Sequence, residues 1–207
     1  MFSSNLAVRR RWVDMFEKMQ YIIDLRDAVS WNEYQQKVLD SERNLLGHII
    51  SGRKVRPAQY RYKDKDGFHH GEVRREQIRR LRNLLNISLK VYGPSKEVRG
   101  EILFPVPADY KNKITGTSYF GLYTLYDSTG KKIAISNRFS YPASWMGDTH
   151  LDKFDYLRWN GLSIKAPDGS TIATIQRSPI SSGCKVEILS PSVDKFLMMS
   201  LVTLLLN

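Results

Sequence analysis

The chain closes on a run that is apolar on every side, Phe196-Leu-Met-Met-Ser-Leu-Val-Thr-Leu-Leu-Leu206, followed by Asn207. As a helix this run rises roughly 16 to 18 Å, well short of the ~30 Å hydrocarbon core of a bilayer. It is too short to span a membrane, and a helix that is apolar all round must be buried on all sides. The simplest container is a closed or nearly closed sheet wrapped around it; a helix packed on one open sheet face and a membrane anchor are the alternatives.

Two hairpin sequences ahead of that run supply such a sheet. Leu122-Tyr-Thr-Leu-Tyr-Asp127-Ser-Thr-Gly130-Lys-Lys-Ile133-Ala134-Ile-Ser-Asn-Arg138 and Leu162-Ser-Ile-Lys-Ala-Pro-Asp168-Gly169-Ser-Thr-Ile172-Ala173-Thr-Ile-Gln-Arg177 share Gly-x-x-Ile-Ala-x-x-x-Arg after an Asp-bearing turn. A repeated strand-turn-strand unit cannot bury its apolar face alone and must pack against its copies and something apolar between them. Further alternating segments are expected at 88–92, 98–104, 118–126, 132–139, 154–157, 162–166, 171–176 and 185–189, about eight strands in sequence, which points to an antiparallel sheet or barrel rather than a βαβ fold.

Residues 1–90 read differently. Trp12, Met15, Phe16, Met19 and Ile22 or Ile23 recur at three and four residues, which predicts a helix over 5–27. Ser30 with Glu33 reads as a capping box opening a second helix through Tyr34, Val38, Leu45, Leu46 and Ile49 to about Gly52. Residues 53–67 are basic, aromatic and turn-rich, as in a connector. Ile78, Leu81 and Leu85 opposite Arg74, Arg75, Arg79 and Arg82 predict a basic amphipathic helix from Gly71 to about Asn86. The fold class expected is therefore α+β: a helical region at 1–90 followed by an antiparallel β domain at 91–207, packed around a buried C-terminal apolar helix.

The hairpins and the ending Cys184-Lys-Val-Glu-Ile-Leu-Ser-Pro-Ser-Val-Asp194-Lys-Phe196-Leu-Met-Met-Ser-Leu resemble the tubby C-terminal-like superfamily, which includes the phospholipid scramblases and the LURP-one-related proteins. The resemblance covers 88–207 and implies a twelve-stranded barrel around a C-terminal helix, a scaffold used to bind anionic phospholipid headgroups or partner proteins. About eight strands are counted here against the family's twelve, so the resemblance implies a reduced or open version, or one completed by the N-terminal helices. The cysteine-rich segment, the proline-rich N-terminus and the acid-rich calcium loop of scramblases are missing, so no lipid translocation follows from it.

Charge is the functional signal. Lys plus Arg against Asp plus Glu number 7 and 7 over residues 1–50, 12 and 4 over 51–90, and 13 and 10 over 91–207, giving the net charge of +11. A concentrated basic window is the footprint of a polyanionic partner, an anionic phospholipid surface or nucleic acid. Arg53, Lys54, Arg56, Arg61, Lys63, Arg74, Arg75, Arg79 and Arg82, with Lys65 and Arg80 beside them, are the candidate phosphate contacts. Tyr60, Tyr62 and Phe68 interleave as stacking or interfacial groups. Glu72 and Glu76 pair along the expected helix at about 0.3 to 0.5 kcal/mol each, but four acids cannot neutralise twelve bases.

Chemistry is otherwise sparse. No Gly-x-Ser-x-Gly elbow, Walker loop or dinucleotide fingerprint is present in the sequence. Cys184, the single cysteine, reads as a buried strand residue and rules out an intramolecular disulfide framework. The clusters Asp64, Asp66, His69, His70 and Asp148, His150, Asp152, Asp155 lack the ligand spacing of zinc and calcium sites and read as turns. The expectation is a non-enzymatic binding protein with no cofactor, metal or small-molecule substrate. It contacts an anionic phospholipid surface, or, in the other reading, nucleic acid within a ribonucleoprotein or a virus coat or matrix. Protein partners would dock on the β domain. Its place is intracellular, peripheral to a membrane or within a large assembly. Arg9, Arg10 and Arg11 ahead of the first acid, Asp14, also resemble an organelle presequence.

Overall fold

The computed structural model describes residues 15–24, 33–52, 59–81, 84–107, 120–139, 162–177 and 183–206. Twelve antiparallel strands close into one barrel: β1 (Gln20–Asp24), β2 (Glu33–Leu39), β3 (Leu45–Gly52), β4 (Gln59–Asp64), β5 (His69–Leu81), β6 (Leu84–Tyr92), β7 (Val98–Pro107), β8 (Phe120–Asp127), β9 (Lys132–Phe139), β10 (Leu162–Lys165), β11 (Thr171–Arg177) and β12 (Gly183–Ile188). Each strand pairs with its neighbours in sequence, and β1 closes the ring on β12, with Tyr21 opposite Val186 and Ile23 opposite Cys184. One helix, α1 (Lys195–Leu206), follows β12.

The α+β fold class expected from the sequence is thereby overturned. Among the described residues there is no N-terminal helical region: the segments expected as three helices hold β1, β2, β3, β5 and the start of β6, and the connector holds β4. Of the described residues ahead of β1, Met15 and Phe16 have helical backbone. The strand count of about eight gives way to twelve, and β6 runs straight through residues 90 and 91, where the helical region was expected to end. The expected strand at 154–157 lies outside the described residues.

Alternation makes the wall. Buried and solvent-facing residues succeed one another along β4 and β12, and the inward residues meet across the strands: Tyr60 faces Val73, Val73 faces Val91, Leu89 faces Ile102, Ile102 faces Leu125, and Leu125 faces Ala134. Such cross-strand pairs are the unit of sheet stabilisation. An eight-stranded barrel fills its lumen with side chains, whereas twelve strands leave a wider space. The terminal helix occupies it, and all its residues from Phe196 to Leu206 are buried. The dimensions agree: twelve helical residues rise ~18 Å, and a seven-residue strand of ~23 Å tilted by ~40° spans about the same height.

The two hydroxyls of α1 are accommodated inside this apolar space. Ser200 Oγ donates to the Phe196 carbonyl at 2.9 Å, and Thr203 Oγ1 donates to that of Met199 at 2.8 Å. Thr203 Oγ1 also accepts from the Tyr62 hydroxyl at 3.0 Å. Burial pushes the Tyr62 phenol up to about 12, so the wall meets the helix through a neutral hydrogen bond. At the start of α1, Asp194 Oδ1 accepts from the amides of Phe196 and Leu197 at 2.9 and 3.1 Å, while its other oxygen pairs with Arg99 of β7. This N-cap ties the helix to the wall.

Five hairpins, β2–β3, β4–β5, β6–β7, β8–β9 and β10–β11, share one turn. In each, the amide of the fourth turn residue (Arg43, Gly67, Lys96, Gly130 or Gly169) donates to the carbonyl of the first at 3.0 to 3.1 Å. That fourth residue has φ between 63° and 88°, and the register shifts by one at the strand end. This is a type I turn with a left-handed residue and a bulge. Because neighbouring strands are antiparallel, all five turns fall at the same end of the barrel, where α1 also begins. Met15 and Phe16 close that end: Phe16 packs on Phe196, Tyr62 and His70 with ring centroids 5.0, 6.1 and 6.1 Å away.

Candidate polyanion-binding face

The basic window folds into a sheet. β4, β5 and β6 stand side by side, so residues scattered along the chain from 59 to 92 form one outer wall ordered by strand register. Arg74 lies opposite Gln59 on β4 and Lys90 on β6, and Arg61 lies opposite Glu72. Nearer the turns, Lys63 lies opposite His48 on β3 and His69 on β5, and His48 lies opposite Lys37 on β2. Lys37, His48, Lys63 and His69 alternate with the buried Val38, Ile49, Tyr62 and His70, which places all four on the outside.

Some of this charge is compensated. Glu72, buried, pairs with Arg74 and accepts from Gln59 Nε2. Arg61 pairs with Glu33. The Arg74 guanidinium carbon lies 5.8 Å from the centroid of the Tyr92 ring, whose hydroxyl donates to Glu76 Oε1 at 2.7 Å. That hydrogen bond to a carboxylate, with burial, raises the Tyr92 phenol above its ordinary range. Asp64, the third acid of the window, turns inward: its Oδ2 lies 3.1 Å from His70 Nε2, and its Oδ1 accepts from the amides of Asp66 and Phe68. Burial opposes ionisation of Asp64, but His70 and the two amides outweigh it and hold the carboxyl below its ordinary value. Among the described residues, Lys37, Lys63, Arg75 and Lys90 form no ion pair.

The structure thus brings together Arg61, Lys63 and Arg74 of the expected contacts, whereas Arg75 stands opposite the buried Leu89, off the face that they share. Arg79 and Arg80 lie in β5 opposite Asn86 and Leu85; Arg53, Lys54, Arg56 and Arg82 lie outside the described residues. The three aromatics divide. Tyr60 and Tyr62 are 4% and 0% exposed and belong to the barrel interior, whereas Phe68 is 55% exposed at the tip of the β4–β5 hairpin. Sequence reading missed Lys37, His48 and Tyr92 as neighbours of the window, because only strand register brings them to it, and it passed over Lys90 within the window. The Asp148 to Asp155 cluster lies outside the described residues. Among the described ones no group of three or more His, Cys, Asp or Glu is placed to hold a metal ion, and no helix is long and apolar enough to cross a membrane. Cys184 is buried in β12.

No family model matches the chain, and no curated protein matches it. Among solved structures it is similar to a protein from Arabidopsis thaliana, AT5G01750, at 14% identity over 90% of this chain and 88% of that one, with a TM-score of 0.42.

Proposed function

We propose that this is a non-enzymatic, peripheral binding protein of the tubby-like kind, whose β4–β5–β6 wall rests on an anionic phospholipid surface. The observation that carries the reading is the outer wall itself: Arg61, Lys63, Arg74 and Lys90 share one face of adjacent strands, against Glu72 among them and Glu101 opposite Lys90 on β7, beside an exposed Phe68. Twelve strands around a terminal helix are the architecture that the tubby-like resemblance implies, and this supports the kinship. The placement of the aromatics favours lipid over nucleic acid. Stacking on bases needs accessible ring faces, and Tyr60 and Tyr62 turn theirs inward, while Phe68 is available to an interface.

Each cation near an anionic surface contributes about 1 kcal/mol. Vesicles of phosphatidylcholine with and without phosphatidylserine, and single-stranded and duplex DNA, compared across a salt series, test the reading. Wild type binds the anionic vesicles, and replacement of Arg61, Arg74 and Lys90 by Gln weakens binding on the order of a hundredfold. Equal binding by wild type and variant contradicts the reading; a preference for DNA with a steep salt slope supports the nucleic-acid reading instead.

A further inference from the structure

The row Lys37, His48, Lys63, His69 is unusual for a sheet. Like charges directly opposite one another across strands are unfavourable, and here four basic groups stand in unbroken register over β2, β3, β4 and β5. Neighbouring strands are ~4.8 Å apart, so the row extends about 14 Å, the footprint of several phosphates. Two members hold a fixed charge, and two gain theirs only in mild acid.

We propose that this row is a phosphate-recognition strip for phosphorylated lipid headgroups, whose grip tightens when His48 and His69 become protonated. The inference rests on the membrane-surface reading above and adds to it a defined contact and a pH response. In neutral solution the lysines alone hold phosphate oxygens. On acidification each imidazolium adds a charge and a second N–H donor to the same line.

The surroundings set where this happens. Burial and then Lys37 hold His48 below its ordinary value. Burial also holds His69 down; Glu72 opposes this, while Lys63, Arg61 and His70 add to it. The other charged groups nearby are Asp24 on β1, opposite Lys37, and Lys65 and Asp66 in the β4–β5 turn. With cations prevailing, the empty strip resists protonation, and a bound polyanion removes that resistance. Linkage then requires that phosphate raise the pKa of both histidines.

Tripolyphosphate serves as the probe, followed by vesicles carrying a phosphoinositide and by a single-stranded oligonucleotide. Wild type binds tripolyphosphate and the vesicles at least about tenfold more tightly at about pH 5.5 than at about pH 7.5, because a one-unit rise in each of the two histidine pKa values brings about fivefold over that range. The double variant His48→Gln, His69→Gln loses the increase between the two pH values. In wild type, the imidazole NMR titration curves of His48 and His69 move to higher pH when tripolyphosphate is added, a readout that needs no variant to fold. Titration curves unmoved by the probe, a parallel pH response in wild type and double variant, or a histidine-dependent response to the oligonucleotide but not to vesicles overturns the strip. Vesicle binding that is independent of pH yet lost in the Arg61, Arg74, Lys90 variant overturns the strip alone and leaves the membrane reading standing; loss of all vesicle binding at every pH overturns both.

Discussion

Five turn residues share a left-handed backbone, yet only three of them are glycine. Arg43 and Lys96, at φ of 70° and 63°, occupy the position held elsewhere by Gly67, Gly130 and Gly169. A side chain there costs about 1 to 2 kcal/mol, partly offset by the flexibility that glycine brings to the unfolded chain. Lys96→Gly is therefore expected to stabilise the protein by about 0.5 to 1 kcal/mol. Gly130→Ala loses a similar amount through strain alone, because nothing lies within 4 Å of an added Cβ. Gly100→Ala is of another kind: its Cβ would stand 2.3 Å from the Tyr126 carbonyl oxygen and 2.9 Å from a Leu197 methyl. Wall and helix cannot both remain in place, and the expected loss is about 1 to 3 kcal/mol. Urea unfolding of the three variants ranks them in that order, and a destabilised Lys96→Gly would contradict the assigned turn.

At the scale of elements, the hairpins explain both what the sequence discloses and what it hides. β8–β9 and β10–β11 are legible because Gly130 and Gly169 mark the turn and Ile-Ala restarts the alternation. The same turn at Asp40 to Asn44 has Arg43 where a glycine would signal it, so β2 and β3 read as one continuous helix. In β5 the bulge between Arg75 and Gln77 breaks the two-residue period, and an Arg-rich strand then passes for an amphipathic helix. The turns also carry a pH signature. Asp127 is held below the ordinary 3.8 by the Thr129 hydroxyl and the amides of Lys131 and Thr129, and Asp168 by the Ser170 hydroxyl and amide. Asp40 and Asp64 are held down by their turn partners, against the opposing effect of burial. A carboxyl whose folded value lies below its unfolded one contributes stability fully present above the unfolded value and lost as pH falls through the folded one. His48 and His69, also lowered, act in the same direction below about 6.5. Unfolding midpoints should fall slightly below pH ~6.5 and steeply below ~3.8, and Asp127→Asn with Asp168→Asn should flatten the acid limb. A midpoint rising with acid would contradict these turn contacts.

For the molecule as a whole, the terminal helix was the most legible element, because a run apolar on every face admits so few environments. The twelve-strand closure was not legible, since β1 to β5 carry Glu, Gln, Lys and Arg on their outer faces at positions that mimic a helical period. The basic window was visible as composition, but its shape was not: register set Lys37 and His48 beside Lys63, and turned Tyr60 and Tyr62 from candidate contacts into core. A closed β wall holds the terminal helix as its core. Amide hydrogen exchange in aqueous buffer tests this most directly. The amides of α1 past its first turn should exchange only through global unfolding, as slowly as those of β8 and β12 and with the same denaturant dependence. Exchange of Leu201 to Leu206 through local opening, while the strands remain protected, would show that the helix is not the core of the barrel.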